Sequence, residues 1–219
     1  MAIHCDDLDL LYLCTEKTGS TSVSNALLDQ LGGRWVPRDH LWDGDELVVD
    51  HKHSSLADLV EHGLFTEDEI RSTNLAITVR NPFAWVVSGY RYRRKVLAER
   101  DRLGELAPDW VKARTWDLDR AAADFDEYVV GECELRGGSL VERYLAGFRD
   151  HPSLTYLRIE TIDADVNDLL GRLGVGWHLD VPHDNTTSGV GYRSVYSEAS
   201  RALVEEHFAR DLEMFDYEF

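Results

Sequence analysis

The sequence predicts an α/β protein built on a parallel sheet of about four or five strands, with helices on both faces. Three observations carry this. Strand-like apolar runs alternate with helical patterns along the 219 residues. The strand-like runs are apolar nearly throughout, as expected for strands covered on both sides. A Gly-containing loop joins the first such run to a helical pattern.

Leu8–Cys14 reads as the first strand and Ser20–Leu31 as the helix after it, stopped at Gly32-Gly33. The stretch "ELVVDHKH" (46–53) reads as a second strand. A short helix follows in "SSLADLVEHG", capped by Ser54 or Ser55. "TEDE" (66–69) is a capping box for another turn. "NLAITVR" (74–80) is a third strand, and Asn81 and Pro82 suit the cap and first position of a long helix. Residues 104–150 read as mostly helical. "LTYLRIE" (154–160) is a fourth strand, 163–174 a helix ended by Gly174, and 176–196 loop-rich. A last helix spans Ser197–Met214, and the alternation in "FDYEF" suggests an edge strand.

Length and 43% hydrophobic composition suit one domain, residues 1–219. No run is long enough to span a bilayer, and the acidic N-terminal stretch does not fit a secretory leader, so a cytoplasmic protein is expected. Cys5, Cys14 and Cys133 are few and widely spaced, which suggests neither a disulfide framework nor a zinc site. The nine His show no paired ligand spacing, and no metal is expected. The formal net charge of -18 marks an acidic protein and argues against nonspecific nucleic-acid binding. A polyanionic ligand must then be held by a local positive pocket.

One such pocket is suggested by "CTEKTGSTSVS" (14–24), between the first strand and its helix. Strand, Gly-containing loop and helix N-terminus expose backbone N–H groups to an anion. Lys17 adds a point charge, Gly19 allows close backbone approach, and Thr18, Ser20, Thr21 and Ser22 offer hydroxyls. The NTPase pattern G-x-x-x-x-G-K-[ST] is absent, because Lys17 precedes Gly19 and the first Gly is missing. A second cluster lies in "VRNPFAWVVSGYRYRR" (79–94). Arg80 leaves the end of a strand, and Ser88 lies about two helical turns beyond Asn81, so both suit a second phosphate. The run "RYRRK" (91–95) reads as a solvated helix face, with a basic patch as the other reading.

Together the two motifs resemble those of sulfotransferases that use 3′-phosphoadenosine 5′-phosphosulfate. Parts of 51–65 and 184–219 are similar to the carbohydrate sulfotransferase branch. The resemblance implies a P-loop-like fold and a 5′-phosphosulfate held by Lys17, Thr18, Gly19, Ser20, Thr21 and Ser22. It implies a 3′-phosphate held by Arg80 and Ser88; the Gly-rich C-terminal motif of the cytosolic branch is missing, and Arg193 is either a cation in its place or a plain surface residue. The implied reaction moves a sulfuryl group to a hydroxyl of a carbohydrate or other small acceptor. Lys17 is expected to be the catalytic cation at the leaving phosphate, and His53, with His51 as second candidate, is expected to be the general base. Glu16 departs from the family pattern, which often has Pro there; it points away or pairs with a base. Ala84 and Trp85 replace an Asp-Arg pair. His40 and the aromatic Trp42, Trp110 and Trp116 are candidates for the acceptor side. Two other readings stay open: a non-catalytic module binding adenosine bisphosphate, and a P-loop kinase or NTPase. Acceptor identity and oligomeric state are not encoded in any recognisable motif.

Overall fold

The computed structural model of the protein describes residues 2–44, 46–49, 53–106, 122–136, 138–181 and 191–219. In chain order its elements are β1 (Ala2–Cys5), β2 (Leu10–Leu13), α1 (Ser20–Leu31), β3 (Arg34–Val36), β4 (Leu41–Asp43), β5 (Glu46–Val49), α2 (Leu56–Glu61) and α3 (Glu67–Ser72). There follow β6 (Asn74–Val79), α4 (Pro82–Leu103), α5 (Phe125–Arg136), α6 (Glu142–Leu145), β7 (Leu154–Arg158), α7 (Ile162–Arg172), α8 (Glu198–His207) and α9 (Ala209–Phe215). The chain forms two compact units, one of Met1–Arg80 with Val141–Thr186 and one of Asn81–Leu140 with Thr187–Phe219.

Local signals set the helix boundaries. Ser55, not Ser54, caps α2, with Asp58 N donating to its hydroxyl at 3.2 Å and Ser55 N donating to the Asp58 carboxylate at 2.6 Å. Thr66 and Glu69 close the same reciprocal box on α3. Asn81 Oδ1 accepts from Phe83 N at 3.0 Å and Pro82 opens α4. A left-handed Gly32 ends α1. Each such cap is worth roughly 1 kcal/mol.

The first unit carries a five-stranded sheet in the order β3-β1-β2-β6-β7. Strands β2, β6 and β7 run parallel, but β1 is antiparallel to both of its neighbours. The sheet is therefore mixed, which corrects the expectation of an all-parallel one. The reason is the link from β1 to β2, residues 6–9, a short 3-10 turn ending at left-handed Asp9. Such a turn reverses the chain, whereas a parallel pair needs a long crossover. Arg34 on β3 donates to both Asp6 oxygens at 3.2 Å and holds that exposed carboxyl below its usual range.

A second correction concerns residues 46–53. Among the described residues of that stretch the strand is Glu46–Val49, and it pairs with β4 in a separate two-stranded sheet. Asp50, His51 and Lys52 lie outside the described residues.

All of β2 is buried, as is most of β6. One face of the sheet (Ile3, Cys5, Leu10, Tyr12, Ala76, Leu157) packs with Val23, Ala26 and Leu27 of α1 and Val166, Leu169 and Leu170 of α7. The α7 residues recur at the helical period, and burying each large side chain contributes about 1.5–3 kcal/mol.

The second unit is built on a separate core of Phe83, Trp85, Val86 and Val87 from α4, Phe125, Tyr128 and Val129 from α5, and Val204 and Phe208. Arg93 of "RYRRK" is 5% exposed. Its Nη1 donates to Tyr128 Oη at 2.7 Å, and its Nη2 lies 3.8 Å from Glu132, which is 0% exposed. Arg136 Nε approaches the other Glu132 oxygen at 3.4 Å. The solvated reading of that run therefore fails at Arg93, which lies on the α4 face shared by Val86, Gly89 and Val96. A Cβ on Gly89 would lie 2.8 Å from both Arg93 Nη1 and Tyr128 Oη, so glycine makes room for the guanidinium.

The tail is not a strand. Left-handed Asp216 ends α9, Asn81 Nδ2 donates to Glu218 O at 2.8 Å, and Phe219 packs edge-on to Phe83 at 4.9 Å. Side chains thus take the hydrogen-bonding groups that an edge strand would have offered to a neighbouring strand. The buried Asp211 carboxylate accepts from the Ser139 hydroxyl and from Leu140 N, tying α9 to the segment before α6.

Burial pushes the thiols of Cys5, Cys14 and Cys133 up to about 11. Nearby Asp6 and Glu132 add to the effect at Cys5 and Cys133. The thiolate is the reactive form. The native protein at pH 7.5 (roughly three units below those values) is thus expected to leave all three unmodified by an aromatic disulfide reagent. The same protein in denaturant should titrate three thiols, and rapid modification of the native form would contradict the packing.

Candidate functional site

The loop between β2 and α1 is organised by Thr15. Its hydroxyl donates to Thr78 O on β6 at 2.6 Å and pairs with the Thr18 hydroxyl at 2.6 Å. Thr18 and Ser20 both donate to Thr15 O, at 3.0 and 2.8 Å. The buried Thr18 hydroxyl is therefore turned into the loop. Ser20 is likewise engaged within the loop. Ser22 is buried, and Thr21 is exposed in the first turn of α1. Thr15 was not singled out in the sequence, because its role depends on β6 lying alongside.

Two residues of this loop are left-handed, Lys17 at φ 60 and Gly19 at φ 74. For lysine this conformation costs roughly 1–2 kcal/mol. Strain of this kind persists where surrounding structure enforces it, and turns of mixed handedness bring backbone N–H groups together around an anion. Gly19 has a second reason to be glycine. A Cβ there would lie 2.0 Å from Ile159 Cδ1. The turn leads into the 12-residue α1, whose first turn carries no acidic side chain. Its N-terminal partial positive charge adds to that of Lys17.

Arg80 joins the same loop. Strands β2 and β6 pair with Leu13 beside Ile77, so Arg80 emerges next to the loop, and its Nη1 donates to Lys17 O at 2.8 Å. The sequence motif placed Arg80 in a second clamp; within the first unit it braces the first one. Ser88 lies half-buried on α4 and Arg193 is exposed in the second unit. There Arg193 Nη2 donates to Phe219 O at 2.8 Å.

Beside Lys17, Glu16 gathers three residues that are distant in sequence. His53 Nε2 lies 4.0 Å from Glu16 Oε1, and Arg143 Nη2 lies 3.7 Å from Oε2. The buried Tyr144 hydroxyl accepts from Arg143 Nη2 at 2.7 Å and from Glu16 N at 3.3 Å. Burial and, next, the Glu16 charge push the Tyr144 phenol above its ordinary value, so it stays neutral near pH 7. His53 sits in the turn before Ser55, with its side chain 28% exposed. It is thus at the loop but not on a strand; His51, expected on the same strand face, lies outside the described residues. His40 is exposed and lies 6.3 Å from the Trp42 ring; Trp110 and Trp116 are outside the described residues. Arg143 and Tyr144 were missed in the sequence because nothing near them in the chain marks them; only their approach to Glu16 does.

No family model matches the chain, and no curated protein and no solved structure is similar to it at a significant level. Among the described residues, no helix is long and apolar enough to cross a membrane.

Proposed function

We propose that the protein is a sulfotransferase, moving a sulfuryl group from 3′-phosphoadenosine 5′-phosphosulfate to a hydroxyl of a carbohydrate or other small acceptor. The observation that carries this reading is the β2–α1 loop, with Lys17 held left-handed next to an acid-free helix start and braced by Arg80. The fold reading that goes with it is P-loop-like, with this loop in the position of the phosphate loop. Its residues fit an anionic donor. The negative charge of Glu16 is faced by His53 and Arg143, and the side chain of Gly19 is absent where the backbone must turn.

The donor supplies an activated sulfuryl group and a good leaving phosphate. Positioning and charge stabilisation meet most of what such a loose transfer requires. The Lys17 ammonium and the backbone N–H groups at the start of α1 offset charge growing on the leaving phosphate. His53 takes the acceptor's proton. By resemblance, Arg80 contributes to holding the 3′-phosphate.

Calorimetry with adenosine 3′,5′-bisphosphate tests the donor site. Uptake by the wild type is expected, with Lys17→Ala weakening it about 10- to 100-fold, the range of a hydrogen bond to a charged group. His53→Ala should keep that uptake and lose at least about 100-fold in transfer rate from labelled donor to a panel of sugars and phenols, read by mass spectrometry. Absence of nucleotide uptake by the wild type in both low and high salt would end the reading.

A further inference from the structure

Glu16 is a carboxylate one residue from the cation of the anion loop, a placement that invites an explanation. Its backbone N–H is fixed by Tyr144, a buried phenol that also takes a hydrogen bond from Arg143. Its two oxygens are shared between Arg143 at 3.7 Å and His53 Nε2 at 4.0 Å. The other ring nitrogen of His53, Nδ1, is enclosed by protein. The ring therefore meets an acceptor through Nε2, the nitrogen that faces Glu16. Three separate segments, the loop after β2, the turn before α2 and α6, converge to hold one carboxylate against one imidazole.

We propose that Glu16 is the positioning residue for His53 in sulfuryl transfer, which rests on the transfer reading above. The acceptor oxygen bonds to sulfur as the bond from sulfur to the 5′-phosphate oxygen breaks. The electron pair of the breaking bond stays on that phosphate, and the acceptor proton passes to His53 Nε2. Nothing is oxidised or reduced. The imidazolium so formed lies beside the Glu16 carboxylate, which favours the protonated ring and so makes His53 a stronger base. Glu16 faces the ring from the loop, and Arg143 faces Glu16 from α6 and tempers its charge.

The test uses donor hydrolysis, in which water is the acceptor, measured from pH 5 to 9 on the full chain with Glu16→Gln and Glu16→Asp, alongside calorimetry with adenosine 3′,5′-bisphosphate. Glu16→Gln is expected to lower the turnover about 10- to 100-fold, a fraction of what a positioned base supplies. Its nucleotide Kd should stay within about twofold of the wild type, because the interaction acts in the transition state. The acid limb of its rate profile should move to lower pH, since the charge that favoured the imidazolium is gone. Glu16→Asp should recover part of the rate. An unmoved acid limb with unchanged turnover overturns the proposal, as does a fall in nucleotide affinity that matches the fall in rate in both variants. Failure of the wild type to bind the nucleotide is a different result and overturns the transfer reading itself.

Discussion

Glu132→Gln is expected to lower stability by about 3–5 kcal/mol, the usual consequence of removing one partner from a buried ion pair. The substitution keeps the shape of the side chain and removes only its charge. Glu132 is 0% exposed and lies between Arg93, at 5% exposure, and Arg136. Without it the two guanidinium groups inside the second unit lose the carboxylate they share. Arg136 also lies 5.6 Å over the Trp85 ring, and Arg93 is 5.7 Å from that of Tyr128; neither aromatic contact replaces a full charge. At about 2–4 °C per kcal/mol for a chain of this size, the loss is visible in a thermal melt. A triple replacement of Arg93, Glu132 and Arg136 by Met or Leu separates the causes. It removes all three charges and should recover most of the loss, because well-packed apolar residues often match a buried ionic cluster. A melt unchanged in Glu132→Gln would mean that water reaches the cluster.

The second large effect is expected at Gly19. Gly19→Ala meets two penalties at once. The alanine must adopt φ 74, and its Cβ meets Ile159 Cδ1 at 2.0 Å. The backbone part costs roughly 1–2 kcal/mol, and overpacking against Ile159 roughly 1–3 kcal/mol more. The loop must then shift, and with it the carbonyl of Lys17 that Arg80 holds. Loss of stability and loss of nucleotide uptake should therefore appear together. Ile159→Ala in the same chain relieves the clash and leaves the backbone term. The double variant should recover about half the stability but little of the binding, with a coupling measurable in a double-mutant cycle. Equal recovery of both would show that the loop tolerates a side chain at residue 19.

Much of this architecture is legible in the sequence where the cause is local. The continuous apolar runs of β2 and β6, the box at Thr66 and Glu69 and the Asn81-Pro82 start of α4 all act within a few residues. Strands β1 and β3, of four and three residues, carry too short an alternation to be distinguished from a loop. Residues 46–49 have the composition of a sheet strand, yet they pair with β4. Which partner a strand takes is decided by topology, not by its own side chains. That Lys17 and Gly19 share a turn between a strand and a helix was readable, because those signals are local; that Arg80 braces this turn was not, because it depends on β6 lying beside β2. The setting of Glu16 was not, because Tyr144 lies 128 positions away in the chain. Arg93 left a faint local trace in Gly89, one turn earlier on the same helix face.

The inward-facing hydroxyls around Thr15 have one more consequence. A loop whose Thr15, Thr18 and Ser20 bond to one another and to β6 has little freedom left to surrender. An anion arriving there meets a rigid receptor, so association should be fast and single-exponential, with a small entropic penalty. Amide protons of residues 17–22 that meet the anion should then exchange with deuterium fast before the guest arrives and slowly after, while those of β2 and β6 stay unchanged.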